Sequence, residues 1–531
     1  MVPEERRQLT VNERVHTRIC VPVCVAHARE LAPSVERAAT LADVIELRLD
    51  CLPEDEFASA LEQLPSMLDA YRQPFILTLR PAEQGGHRPL TLDERARFWS
   101  EFARSRLVSS AAHDRLLFDI EHDLLLRGNL HVREDDWQRI VCSFHDFNVT
   151  DAATLDAVYM QMAATSARIL KIAAHANSIT DCLVVFRLLE RARREGREMI
   201  AIAMGEAGIA TRILAPSRGA HLTFGALDDA RRTAPAQLSA DELRRLYRID
   251  SIDEATEIYG LAGHPVAHSV SPHMHNAAFA ATDINAVYIP FDVSDADEFF
   301  HRMLHPRTRE MDWRLRGLSI TAPHKSAWMS RLDWVEASAT EIGAVNTVVI
   351  RDNALHGYNT DAPASLAPLA EKWNLRGARV AILGAGGAAR ATLWSLRERG
   401  VSVTVFARDA GRARETARQF GASVASLDGA RFAEFDIVIN ATPLGTRGRH
   451  QDRTPALANQ LRGAQVVYDL VYNPSETRLL REARDAGCET LGGLPMLVAQ
   501  AAAQFKLWTG HDAPVAAMRD AATKQLAEVG S

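Results

Sequence analysis

The run RILKIAAHA, residues 168–176, sets Lys171 among apolar neighbours, and SFHDF, residues 143–147, sets His145 at the end of another apolar run. Desolvation disfavours an ammonium ion, which suits an amine that attacks a ketone, and an imidazole carries a proton near neutral pH. Other apolar runs end in Glu46, Arg48 and Asp50, or in Thr78 and Arg80, and Arg212 follows a further one. A lone arginine at a strand end is ordinarily solvated. Four such ends in agreement suit a bidentate hold on a carboxylate instead. Together these residues point to Schiff-base catalysis on a small keto acid.

A second set, farther along, has a different character. GLSITAPHK (317–325), IGAVNT (342–347) and GYNTD (357–361) present Ser319, Thr321, Lys325, Asn346, Asn359 and Asp361. A lysine and an aspartate are what proton transfer to a carbonyl oxygen needs during hydride addition. Ser269 and Ser271 stand just before Pro272, a favoured first helical residue, where hydroxyls either cap a helix or bind a carboxylate. VAILGAGGAAR (380–390) reads as an apolar strand followed by Gly384, Gly386, Gly387 and Ala388 opening a helix. Glycines there let the backbone approach a pyrophosphate at a helix N-terminus. After the next strand, VSVTVFAR, Arg408 and Arg412 suit a 2′-phosphate while Asp409 suits ribose hydroxyls, so NADP is favoured over NAD. DIVINATPLG (436–445), with Thr442, reads as another strand and a cofactor-contact loop.

These residues need elements to carry them. Apolar or β-branched runs cover 19–25, 44–50, 75–80, 116–121, 140–145, 169–173, 199–205 and 222–225, with amphipathic segments such as 151–166 and 178–194 between most of them. Eight runs in the first half predict a (β/α)8 TIM barrel, whose site lies at the C-terminal ends of its strands. The glycine loop and its flanking strands predict a Rossmann domain in the second half. Residues 225–276 form the joint between the two chemistries. The expected class is therefore α/β throughout.

With 531 residues and 47% hydrophobic side chains, the chain has material for several cores. Its net charge of -7, from 61 basic and 68 acidic residues, offers no bulk attraction to nucleic acid or to an anionic membrane. The six cysteines are scattered without metal-ligand spacing and are expected to be buried thiols in a reducing cytoplasm. The polar N-terminus lacks an apolar signal core, and no long apolar span follows. No metal is implied.

ELRLD (46–50), TLR (78–80), SFHDF (143–147), ILKIA (169–173), MGEAGIATR (204–212) and TAPAQ (233–237) together resemble type I 3-dehydroquinate dehydratase over residues 15–247. The resemblance implies that Lys171 forms the imine and that His145 takes the proton alpha to it and assists loss of water. It also implies that Glu46, Arg48, Arg80 and Arg212 hold carboxylate and hydroxyls, with Thr233 and Gln237 on the loop after strand eight. Residues 257 to about 525 resemble shikimate dehydrogenase in seven motifs, including DLVYNPSETRLL (469–480) and GGLPMLVAQAAAQF (492–505). That resemblance implies shikimate binding by Ser269, Ser271, Thr321, Asn346, Tyr472 and Gln500, catalysis by Lys325 with Asp361, and the nicotinamide near Gly493 and Met496. In this order the two resemble the bifunctional dehydratase/dehydrogenase family typical of plants.

The implied division is an N-terminal tail (1–15), the dehydratase barrel (16–248), an α/β substrate domain (255–362), a Rossmann NADP domain (363–490) and C-terminal helices completing the dehydrogenase (491–531). The implied partners are 3-dehydroquinate, 3-dehydroshikimate and shikimate; oligomeric state is left open. Four departures from the family pattern stand out. Gln84, beside Glu83, occupies the usual place of an acid; Ala236 replaces a glycine; Ser319 replaces an asparagine, as in plant-type members; and Ala407-Arg408-Asp409 replaces Asn-Arg-Thr. Two alternatives follow: a second half that prefers quinate, and a barrel that binds without catalysing.

Overall fold

The computed structural model describes residues 17–104, 115–127, 130, 132–148, 151–228, 232–234, 236–266, 269–397 and 399–530, with Ala410, Arg412, Val529 and Gly530 described by their backbone alone. The chain separates into two compact units, one ending at Thr256 and the other beginning at Glu257.

The first unit is a nearly closed parallel barrel. Its strands are β1 (Ile19–Val23), β2 (Val44–Arg48), β3 (Phe75–Thr78), β4 (Leu116–Glu121), β5 (Ile140–Asp146), β6 (Ile169–His175), β7 (Glu198–Met204) and β8 (Thr223–Phe224). The sheet order β7-β6-β5-β4-β3-β2-β1-β8 joins its ends through a parallel bridge between Met199 and Ala220. Both faces of such strands are covered, so their sequences are apolar almost throughout. Successive side chains point to opposite faces, and the inward set on each strand starts apolar, with Val44, Ile76, Leu117, Val141 and Ile169 in one buried cluster. Two residues farther along the same face come Glu46, Thr78, Asp119, Ser143 and Lys171. The change from apolar to polar along one face is what turns the upper barrel into a site.

The second unit contains two six-stranded sheets. The first, in order β10-β9-β11-β13-β14-β12, uses β9 (Glu257–Gly263), β10 (Ala286–Asp292), β11 (Leu315–Ile320), β12 (Trp334–Val335), β13 (Thr347–Arg351) and β14 (Ala354–Tyr358). It is mixed: β11 runs parallel to β9 and antiparallel to β13. The second uses β15 (Arg379–Leu383), β16 (Ser402–Ala407), β17 (Ser423–Ser426), β18 (Ile437–Asn440), β19 (Val466–Asp469) and β20 (Glu489–Leu491). Its parallel order β17-β16-β15-β18-β19-β20 is the doubly wound arrangement of a Rossmann fold, with its ligand crevice where the order reverses at β15 and β18. The helix Leu494–Thr509 then returns to the first sheet: Trp508 Nε1 donates to the carbonyl of Val348 at 3.0 Å, and Phe505 joins Tyr259, Phe279 and Tyr288 in one core.

One expectation needs correction. Cys24 and Cys51 are joined in a disulfide, so only Cys20, Cys142, Cys182 and Cys488 are buried thiols. The parallel pairing of β1 with β2 places the two loops side by side across 27 residues of sequence, a proximity that scattered cysteines do not reveal. The charged run before Tyr247 forms a short π-helix, Glu242–Leu246. Among the described residues no helix is long and apolar enough to cross a membrane.

Candidate functional site

In the barrel, all eight candidates line one partly open cavity: Glu46, Arg48, Arg80, His145, Lys171, Arg212, Thr233 and Gln237. Lys171 is not stranded among apolar groups, as its sequence neighbours suggest. Its Nζ donates to Asp119 Oδ2 at 2.8 Å, stands 3.5 Å from Glu46 Oε1, and lies 4.3 Å over the Phe224 ring. Asp119 is the hub of the site and escaped the sequence reading. It also accepts from Arg80 Nη2 at 2.7 Å and from Ser143 Oγ at 2.5 Å. Burial pushes its carboxyl up, but Arg80 and Lys171 outweigh burial and hold it well below the usual range. The signal was present in LLFDIE, where Asp119 and Glu121 alternate on one face of an otherwise apolar strand.

His145 Nδ1 lies 2.6 Å from Arg80 Nη1. A guanidinium only donates, so Nδ1 accepts and the neutral ring carries its proton on Nε2. Burial, then Arg80 and Lys171, drive the His145 pKa well below its ordinary value, which keeps the ring neutral. Arg48 is forked onto Asp50, at 2.9 and 2.7 Å. Arg212 is buried with no carboxylate partner among the described residues, and burial alone pushes it down to about 10. A desolvated guanidinium with an unused fork is a receptor for a carboxylate.

The loop after β8 closes the cavity. Gln237 Oε1 accepts from the Thr233 amide at 2.9 Å and from its hydroxyl at 3.1 Å. Ala236 sits at φ +50, which explains why glycine is the usual residue there. The Glu83/Gln84 question also resolves: Glu83 is exposed, whereas Gln84 is buried, lines the cavity and accepts from the His145 amide at 3.2 Å. A neutral amide thus stands beside His145.

In the second unit, Lys325 Nζ donates to Asp361 Oδ2 at 2.6 Å, and Asn346 Nδ2 donates to Asp361 Oδ1 at 2.8 Å. Asp361 opens the helix Asp361–Ala370, whose positive end favours its charge. A hydrogen-bond chain ties this pair to the serines. Ser269 and Ser271 hydroxyls meet at 3.1 Å, Ser271 bonds Tyr288, and Tyr288 donates to Ser319 at 2.8 Å. Ser319 donates to Gln504, whose amide reaches the Asn346 carbonyl at 3.2 Å and Thr347 Oγ1 at 3.1 Å. Tyr288 and Gln504 were not found in the sequence, since neither stands in a polar motif. Ser271 does not cap its helix; Ser269 Oγ accepts from the Ser271 amide at 3.2 Å.

Thr321, Tyr472 and Gln500 are not members of that chain. Thr321 packs against Gly263, Tyr472 lies in the apolar cluster with Val266 and Leu494, and Gln500 donates to the Leu497 carbonyl one turn before Gln504. Asn359 is structural, donating to the Ala344 carbonyl and accepting from the Ala362 amide.

The glycine loop leaves β15 at Gly384, φ +110, and the helix Gly387–Arg397 follows. Gly386 and Gly387 have open space where a side chain would stand, and Ala388 follows in the first turn, so the backbone here can meet a pyrophosphate. Thr442 is oriented by Asn440, to which its hydroxyl donates at 2.7 Å. Gly493 lets the helix start press on the Leu470 carbonyl, and Met496 is buried in the Rossmann core. Arg408 is exposed, while the Asp409 carboxylate accepts from the Gly411 amide at 2.9 Å. The Arg412 side chain lies outside the described residues. These features fit a dinucleotide.

Four family models match in order: type I 3-dehydroquinase over residues 19–254, the shikimate dehydrogenase substrate binding domain over 261–348, shikimate/quinate 5-dehydrogenase over 367–470, and the shikimate 5'-dehydrogenase C-terminal domain over 493–523. Among curated relatives, the chloroplastic bifunctional 3-dehydroquinate dehydratase/shikimate dehydrogenase of Arabidopsis thaliana is 32% identical over 523 residues, covering 93% of this chain and 82% of the relative. The shikimate dehydrogenase (NADP(+)) of Methanopyrus kandleri is 40% identical, covering 52% of this chain and 98% of its own length. That of Moorella thermoacetica is 43% identical, covering 50% and 92%. With likeness running through both units in one order, the chain belongs to the family of bifunctional 3-dehydroquinate dehydratases/shikimate dehydrogenases.

Proposed function

We propose that this chain dehydrates 3-dehydroquinate to 3-dehydroshikimate in its barrel and reduces that product to shikimate in its second half. The convergence of eight candidate side chains on one barrel cavity, with Lys171 and His145 both bonded into the Arg80–Asp119 cluster, carries the reading. Residues 16–248 are assigned to the dehydratase, 255–362 to the substrate domain, 363–490 to the nucleotide domain and 491–531 to the helices that complete the reductase.

Lys171 attacks the substrate ketone, and the resulting imine acidifies the neighbouring carbon. Its ammonium first gives up a proton, for which Glu46 Oε1, 3.5 Å away, is the acceptor, since Asp119 is held ionised by Arg80. His145 then removes the carbon-bound proton through Nδ1, which requires Arg80 to turn its Nη1 towards the substrate. The same imidazolium protonates the departing hydroxyl, and hydrolysis releases Lys171. Arg48 and Arg212 hold the carboxylate, and Gln237 with Thr233 fastens the loop above it.

In the second half NADPH, when bound, would supply a hydride to the carbonyl carbon. Lys325 protonates the oxygen, held in place by Asp361, while Ser269, Ser271, Thr321, Asn346, Tyr472 and Gln500 surround the ring. Gly384, Gly386, Gly387, Ala388, Arg408, Arg412, Thr442, Gly493 and Met496 are the dinucleotide contacts. With the Asp409 carboxylate engaged by Gly411, the arginines favour the phosphorylated dinucleotide. The cytoplasm is the proposed compartment, and there the Cys24–Cys51 bond would stand reduced.

Incubation of the purified chain with 3-dehydroquinate and NADPH alone tests the whole sequence. Shikimate is the expected product. Quinate alone would transfer the second half to quinate chemistry, and the absence of any borohydride-trapped adduct on Lys171 would make the barrel a binding module.

A further inference from the structure

Cys24 leaves β1, Cys51 closes the short turn after β2, and the pairing of those strands brings their Cα atoms to 5.5 Å. His87, on the loop after β3, places Nε2 3.6 Å from Cys24 Sγ. Its backbone is held there, since the His87 amide donates to Asp50 Oδ2 at 3.2 Å. Three adjacent barrel loops therefore offer two sulfurs and an imidazole nitrogen within 4.8 Å of one another. His87 is exposed and both cysteines are partly exposed, so the cluster is open to solvent. None of the three lines the substrate cavity.

We propose that Cys24, Cys51 and His87 bind a thiophilic divalent cation of the zinc class once the disulfide is reduced, with water completing the tetrahedron. Two thiolates and an imidazole are the donor set zinc prefers over harder cations. Their two negative charges balance the ion, leaving no net charge at the loop junction. Thiols released from the bond separate to nonbonded contact at about 3.7 Å, the span that two zinc–sulfur bonds of about 2.3 Å require in a tetrahedron. Reduction by a dithiol breaks the Cys24–Cys51 bond, forms two S–H groups with two electrons and two protons, and turns the reductant into its own disulfide. Cation binding then exchanges the two thiol protons for one M²⁺. Disulfide and metal site are thus alternative states of one cluster.

The test uses the full chain, reduced, stripped of metal and freed of reductant without air, then titrated with zinc against a chromophoric chelator. One more zinc per chain is expected in the reduced than in the oxidised protein, and one more than in a reduced Cys24→Ser/Cys51→Ser variant. Cobalt should give a thiolate-to-metal charge-transfer band in the reduced wild type that the oxidised protein lacks. His87→Ala, an exposed change that spares the fold, should keep both thiols and weaken zinc binding at least tenfold. Equal zinc uptake by reduced and oxidised chains overturns the proposal, as does a reduced chain whose two additional thiols react with a thiol reagent yet give no cobalt band. Unchanged zinc affinity in His87→Ala removes that residue from the ligand set.

Discussion

Lys171 and Lys325 each donate to an aspartate, at 2.8 and 2.6 Å, yet one side chain is 6% exposed and the other 31%. Around Lys171 the charges are buried and interlocked: Asp119 alone touches Arg80, Ser143 and Lys171. Around Lys325 a single buried carboxylate, itself fixed by Asn346, meets an ammonium that is partly open to solvent. Unpaired charge is costly in the first setting and cheap in the second, because water can take the place of a lost partner only where it has access. Losing a partner should therefore cost the barrel cluster more than it costs the Lys325–Asp361 pair, whose ammonium water can reach.

Activity separates the two halves most sharply. Lys171→Ala should reduce dehydration at least about 10³-fold and abolish borohydride trapping, with reduction of 3-dehydroshikimate unchanged. Lys325→Ala should do the converse, lowering reduction about 10²- to 10⁴-fold while dehydration persists. Steady-state assays of each half-reaction on both variants check this. Crossed effects would mean that the two sites do not work independently.

Stability should break the symmetry that activity shows. Asp119→Ala leaves Arg80 and Lys171 without their shared carboxylate and should destabilise the first unit by about 3 to 5 kcal/mol, whereas Asp361→Ala leaves one partly solvated ammonium and one Asn346 amide hydrogen unpaired and should cost about 1 to 2 kcal/mol. Urea denaturation followed by a probe in each unit distinguishes them. Equal losses would refute the contrast drawn from burial.

The pH dependence offers a finer cut. Burial raises the Glu121 carboxyl from its ordinary 4.5 to about 7, Arg80 opposing and Asp119 adding, while burial raises Asp469 in the second unit from 3.8 to about 6. A folded-state pKa above the unfolded one contributes stability that is full below the unfolded value and is lost as pH rises through the folded value. Relative to Glu121→Gln, the wild-type first unit should lose up to about 3 kcal/mol between about pH 4.5 and 7. The corresponding window for Asp469→Asn lies between about pH 4 and 6. A flat difference in either window would mean the group is already ionised in the fold. The smallest effect expected is at the closing loop, where Ala236→Gly relieves a left-handed alanine and should raise stability by up to about 1 kcal/mol, read as a shift in unfolding temperature.

The strands were legible because a parallel barrel is covered on both faces, so each writes an unbroken apolar run such as FILT or IVCS into the chain. The residues at their ends were legible for the same reason: a charge that interrupts such a run has to be explained. Asp119 was not, since a single acid in LLFDIE has meaning only once β3, β5 and β6 set Arg80, Ser143 and Lys171 around it. Gln504 was hidden by distance, its partners Ser319 and Thr347 lying 185 and 157 residues earlier. Cys24 and Cys51 were hidden by register, because β1–β2 pairing rather than spacing decides that they meet. Gln84 and Glu83 could be separated only by the turn ending at Gly85, which buries one and exposes the other.

The return of the helix Leu494–Thr509 to the first dehydrogenase sheet has a consequence for synthesis. A ribosome delivers Ser319 and Asn346 long before Gln504, the residue that bonds to both, and delivers every strand of the nucleotide sheet, Arg379 through Leu491, in the interval. The nascent chain thus holds all the strands for gripping a dinucleotide while the polar chain behind its future substrate still lacks one link. Seating that helix brings Gln504 to Ser319, Asn346 and Thr347 and closes the chain.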